Sequence, residues 1–151
     1  MLAPVQSSQT VTTPSGLTLT RTKTRTATLS DPANPLNLIG QTDTVQVNGR
    51  TYTINYSFDG TIRQATATTP AGRQTVALLD AQGRILRKQV PGLEPMSYVY
   101  DSRGHLTSVT QGMGESARTT NFTYNAQGFL DAVTDPVAHV ALASRSTLPV
   151  A

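Results

Sequence analysis

The chain has no cysteine and no tryptophan, and only 14% of its 151 residues are charged. Without cysteine it can form neither disulfides nor a thiolate metal site, and its redox compartment stays open. With aromatics at 5% and hydrophobic residues at 37%, a modest core in one domain is the expectation. No run approaches the roughly 18 apolar residues of a membrane span. The opening MLAPVQSSQTVTTP has neither the basic start nor the apolar stretch of a signal peptide, so any export would use a signal outside this chain. The net charge of +3 comes from scattered basic residues, which excludes a nucleic-acid arm. Two histidines without a ligand spacing give no reason to expect a metal or cofactor. What the chain does have is threonine, about a sixth of its residues, a bias toward strands.

The pattern along the chain divides it in three. Residues 1–14 are polar, punctuated by proline, and expected to be partly disordered. Residues 15–136 read as strands separated by turn material, with the clearest repeats at 76–136, and residues 137–151 as a degraded or truncated tail lacking glycine and aromatics. From Leu17 to Leu29 every even position is threonine, while Arg21, Lys23 and Arg25 occupy odd ones, as in a long exposed strand. Asn48-Gly49 suits a type I′ hairpin that sets Val45 opposite Tyr52. No helical segment intervenes, so consecutive strands should pair antiparallel as a meander.

One turn signature recurs, as LLDAQGRIL, YVYDSRGHL and FTYNAQGFL. In each copy Asp80, Asp101 or Asn125 opens a loop, and Gly83, Gly104 or Gly128 takes the positive φ that ends it. That geometry sets Leu79 opposite Ile85, Tyr100 opposite Leu106 and Tyr124 opposite Leu130, with Tyr98 and Phe122 extending the apolar face. A cross-strand pair contributes about 0.2–1 kcal/mol, so one hairpin is marginal and stacked copies are the folding unit. A fourth copy, YSFDGTI, reads as a loop two residues shorter, with Asp59-Gly60 as the turn.

These strings resemble the YD-repeat family, which includes bacterial Rhs proteins, teneurins and the shell subunits of insecticidal Tc toxins. The matching segments are YDSRGHLTSV from Tyr100, YNAQGFLDAVTDP from Tyr124 and, with leucine in place of tyrosine, LDAQGRIL from Leu79. The resemblance implies an all-β fold of antiparallel hairpins, curved into part of a larger β-shell. It also implies a secreted or cell-surface setting, and a full-length form that encloses or presents a C-terminal toxin. Rhs shells often end in a self-cleaving proline-aspartate motif. Asp135-Pro136 departs from that motif on both sides, since Leu130 replaces the leading proline and Ala138-His139 the closing Gly-Leu, so autoproteolysis is not carried over.

Chemistry has few other footholds. His105 and Asp101 form a turn-flanking pair with no nucleophile at a matching position, and Gly112 to Gly114 lacks the GK[ST] ending of a phosphate loop. The three basic residues of the threonine strand read as a charged edge that resists pairing, and the tyrosines as core packing. With no catalytic constellation in the residues, the expectation is a non-enzymatic structural segment, and the resemblance implies neighbouring YD repeats or a partner chain as its partners, with toxin cargo or carbohydrate as further candidates. A carbohydrate-binding or adhesion module is the alternative.

Overall fold

The computed structural model describes residues 7–137 and 139–142. Twelve strands follow one another in a single sheet whose spatial order is the sequence order, and each pair is antiparallel. They are β1 (Ser8–Thr12), β2 (Thr18–Leu29), β3 (Leu38–Val47), β4 (Arg50–Phe58), β5 (Arg63–Thr68) and β6 (Gln74–Leu79), then β7 (Ile85–Gln89), β8 (Met96–Tyr100), β9 (Leu106–Gln111), β10 (Arg118–Tyr124), β11 (Leu130–Thr134) and β12 (Val140–Leu142). One short 3-10 turn, Gly114–Ser116, lies between β9 and β10. The sheet does not close, since β1 and β12 stand at opposite ends of it.

Side chains opposite one another across a ladder share a face. The registers therefore place Tyr52, Tyr56 and Phe58 on the same face as Leu79, Ile85, Tyr98, Tyr100, Leu106, Phe122, Tyr124 and Leu130. The other face takes the even threonines of β2, then Thr42, Thr44, Thr53, Thr66 and Thr68, then Thr110, Thr119 and Thr123. One side carries the aromatic rings with charged residues among them, Lys23, Arg25, Asp43, Arg63, Lys88 and Arg118; the other is rich in hydroxyls and also takes Val76, Leu78 and Val99. Between Leu78 and Leu79, Val99 and Tyr100, and Thr123 and Tyr124 the register shifts by one, so Leu86, Thr107 and Asp131 are bulge residues. The shift brings Val109 and Val133 to the aromatic face and, in the first copy, Lys88.

The expected core is absent: among the described residues no hydrophobic side chain is buried. Tyr52 and Ile54 are 41% and 49% exposed, and the aromatic face has no second layer above it. A meander joined by short turns never crosses over its own face, and a sheet buries side chains only against another layer. The tyrosines pack against their neighbours in the sheet instead of into an interior. The boundaries change as well. Residues 8–12 form β1, so the segment read as partly disordered contributes a paired strand. At the other end β12 pairs with β11 beyond residue 136, within the stretch read as a tail; residues 1–6 and 143–151 of those two segments lie outside the described residues.

β2 is not an edge. It lies between β1 and β3, and two of its three charges are answered: Arg25 donates two hydrogen bonds of 2.5 Å to Asp43, and Lys23 stands 3.7 Å from the same carboxylate. Asp43, 8% exposed, is the one buried polar residue among those described. The Arg25 guanidinium, which hydrogen-bonds it, holds its carboxyl below the usual range against partial desolvation.

Candidate functional site: the coupled turns of one rim

A meander puts alternate turns on alternate rims. One rim carries the connections at 30–37, 59–62, 80–84, 101–105 and 125–129, and the other those at 13–17, 48–49, 69–73, 90–95, 112–117 and 135–139. The clearest repeats meet on the first rim.

Each turn is built by its opening residue. The Asp80 N–H donates to the Arg84 carbonyl at 2.9 Å, while its Oδ1 accepts from the N–H groups of Gln82 and Arg84 at 2.9 and 2.8 Å. Asp101 holds Arg103 and His105 at 2.9 and 2.8 Å, and Asn125 holds Gln127 and Phe129 at 3.1 and 3.0 Å. One side-chain oxygen thus satisfies two loop donors that no ladder could reach. Gly83, Gly104 and Gly128 close these loops at φ of 79°, 90° and 85°. In both aspartate turns partial desolvation works to raise the carboxyl. Hydrogen bonds from the Arg84 backbone and guanidinium outweigh it at Asp80, as do those from the His105 ring and backbone at Asp101, and both acids end below the usual range.

The turns also reach the next repeat. Tyr100 Oη donates to the Ile85 carbonyl at 3.1 Å, and Tyr124 Oη to the Leu106 carbonyl at 2.9 Å. In both cases the tyrosine directly before one turn bonds the residue five places after the start of the previous turn. Arg84 pairs with Asp80 at 2.6 Å, lies 4.5 Å from the Tyr100 ring centroid and faces Gly104, where an added Cβ would stand 3.1 Å from its Nη1. His105 repeats the arrangement. Its Nδ1 is 2.9 Å from Asp101, its ring stacks on Tyr124 at 4.6 Å, and an added Cβ at Gly128 would meet its Nε2 at 3.3 Å. The Tyr, the Asp and the Gly of the signature therefore serve a joint between hairpins, and the Asp101–His105 pair is part of that joint. Leu79 stands at the tyrosine position but has no hydroxyl to donate.

Leu79 pairs with Ile85, Tyr100 with Leu106 and Tyr124 with Leu130, while Asn48 and Gly49 take φ of 48° and 79° between Val47 and Arg50. Asn48 does more than turn: its Oδ1 accepts from the Thr20 N–H at 2.8 Å, and its own N–H donates to the Thr20 carbonyl at 2.9 Å. In YSFDGTI the turn falls differently from expectation. Asp59 opens it, accepting from Thr61 and Ile62 at 2.9 and 2.7 Å, so Gly60 and Thr61 are its central pair and the loop is one residue shorter than the others, not two. An opening carboxylate can reach those two N–H groups only from outside the central pair.

Three further copies of the loop escaped the pattern of aspartates and glycines. Thr13 and Thr69 open turns closed by Gly16 and Gly72, with Oγ1 accepting from Leu17 and Arg73 at 3.1 and 3.2 Å. Their shared Thr-Pro-x-Gly was the available signal, since proline favours the second position of such a turn. The third is at Asp135, whose Oδ1 accepts from Val137 and His139 at 3.0 and 2.8 Å although Ala138 stands at the glycine position.

Residues 100–139, which span the turns opened by Asp101, Asn125 and Asp135, match the RHS Repeat family model. That stretch carries an RHS repeat. No curated protein matches it. The RHS repeat is a structural repeat, and the joints described above show what its Tyr-Asp pair does in this chain: the aspartate folds its own turn and the tyrosine fastens that turn to the one before. Among the described residues no group of three or more His, Asp or Glu could hold a metal ion, and no helix is long and apolar enough to cross a membrane.

Proposed function

We propose that this RHS-repeat chain is a non-enzymatic structural segment of a bacterial Rhs-type wall whose full-length form, secreted or at the cell surface, encloses or presents a C-terminal toxin. The observation that carries this reading is the hydroxyl of each YD tyrosine donated to the preceding repeat, which lets hairpins be added in line without a core. An uncovered apolar face is what such a wall would turn toward neighbouring repeats, a partner chain or cargo. The test uses a longer protein in which this segment precedes a C-terminal polypeptide. Limited proteolysis should spare that polypeptide until the wall melts. Cleavage at the rate of the free polypeptide would overturn enclosure.

A surface adhesion module that binds carbohydrate is the second reading. It is favoured by the exposed rings of the aromatic face, Tyr52 among them.

A further inference from the structure

A recess of about 510 Å³ opens on the rim opposite the coupled turns, where the β4 start meets the 69–73 turn. Arg50, Tyr52, Thr69, Pro70 and Arg73 line it. That volume is in the range of small-ligand sites.

Three observations set it apart. Among the described residues neither Arg50 nor Arg73 is in an ion pair, which is equally true of Arg21, Arg63, Arg87, Lys88, Arg103 and Arg118, so what marks the recess is that two such cations line it together. No acidic side chain lines the recess. The sequence is also unbalanced in charge: residues 1–75 hold six Lys and Arg against three Asp, of which Asp31 and Asp59 lie on the opposite rim, while residues 76–151 hold six of each sign. The chain's whole excess of +3 thus lies in the half that contains the recess. Arg21 reinforces it, since it shares a row with Val47 and Arg50 and lies about 10 Å from Arg50 at the usual strand spacing.

The lining combines two kinds of contact. A guanidinium presents a planar fork that fits a carboxylate bidentately. Tyr52, 41% exposed, and the exposed ring of Pro70 offer flat apolar surface to the C–H face of a sugar ring. A single-stranded nucleic acid would ask for a basic groove with successive stacking rings, and here one aromatic ring lines the recess.

We infer that the Arg50–Tyr52–Arg73 recess binds an acidic saccharide, with the arginines on ring carboxylates and Tyr52 beneath a pyranose. The inference rests on the adhesion reading and is independent of the wall. The test is calorimetric titration of the full chain with digalacturonate, alongside lactose, inorganic sulfate and oligo(dT), with circular dichroism to verify that each variant keeps its strands. Digalacturonate should bind, lactose should not, and affinity should fall at least tenfold in R50Q/R73Q and in Y52L. The charge-matched control R87Q/R118Q should bind as the unaltered chain does. Equal binding by R50Q/R73Q, equal loss in the control, tighter binding of oligo(dT), or displacement by equimolar sulfate would overturn the site. Saccharide binding that survives R50Q/R73Q but is lost in Y98A or Y124A would overturn this recess and keep the adhesion reading.

Discussion

Strands β2 to β5 and strands β6 to β11 belong to one sheet but are held in different ways. The first group is longer through β4, with 12, 10 and 9 residues in β2, β3 and β4 before the six of β5, and its cohesion is continuous ladder, a buried charge cluster at Asp43 and the Asn48–Thr20 bond. The second group has strands of five to seven residues, too short for ladders alone, and adds side-chain joints from each turn to the next. A single-layer sheet can therefore be stabilised either by strand length or by fastening its rim, and this chain does both in succession.

The largest test of that contrast is a pair of glycine replacements. Gly72→Val and Gly104→Val both force a β-branched residue to positive φ, which costs about 1–3 kcal/mol. Gly72 has open space around it, whereas Gly104 faces Arg84 of the neighbouring turn. Thermal melts should show both variants destabilised and Gly104→Val the more so. Equal losses would mean that the Arg84 contact contributes nothing.

Removing single hydroxyls separates the groups more gently. Tyr124→Phe and Tyr100→Phe each lose a bond to the preceding repeat and should cost about 0.5–1.5 kcal/mol in denaturant titrations. The same change at Tyr52, on an exposed ring of β4, should leave the midpoint where it is.

Acid probes the charge cluster. Asp43 has a depressed folded-state pKa, so its contribution is fully present above the ordinary carboxylate range and is lost as pH falls through the folded value. Hydrogen exchange in β2 and β3 should accelerate below about pH 4. In Asp43→Asn that acid-driven step should shrink while protection at neutral pH falls. The smallest effect is expected of Asn125→Asp, which gives the third turn the carboxylate of the second. A gain of about 0.5 kcal/mol or less is the expectation, since the backbone donors from Gln127 and Phe129 are already in place.

Much of the second group was legible in the sequence because its information is local. Asp or Asn followed three residues later by Gly specifies a loop, and the loop fixes which apolar residues face one another, as at Tyr100 and Leu106. Thr69 to Gly72 reads as turn material, but that the threonine-opened turns copy the repeat loop was hidden because a hydroxyl can replace a carboxylate there, and Asp135 because Ala138 stands where glycine was sought. The pairing of Lys23 and Arg25 with Asp43 was not legible. It depends on the register across the long 30–37 connection and on Ile39, an extra residue in β3 that the ladder skips.

The sequence by itself determined most of the strands from β2 to β11, the three clearest turns and their antiparallel order, because alternation, glycine placement and short connections act over a few residues. Only the tertiary structure decided that among the described residues the sheet has no second layer, that Tyr100 and Tyr124 each bond the repeat before, and that Arg50 and Arg73 share a recess with Tyr52. These depend on how residues some 20 positions apart are brought side by side across the ladders, which no local pattern encodes.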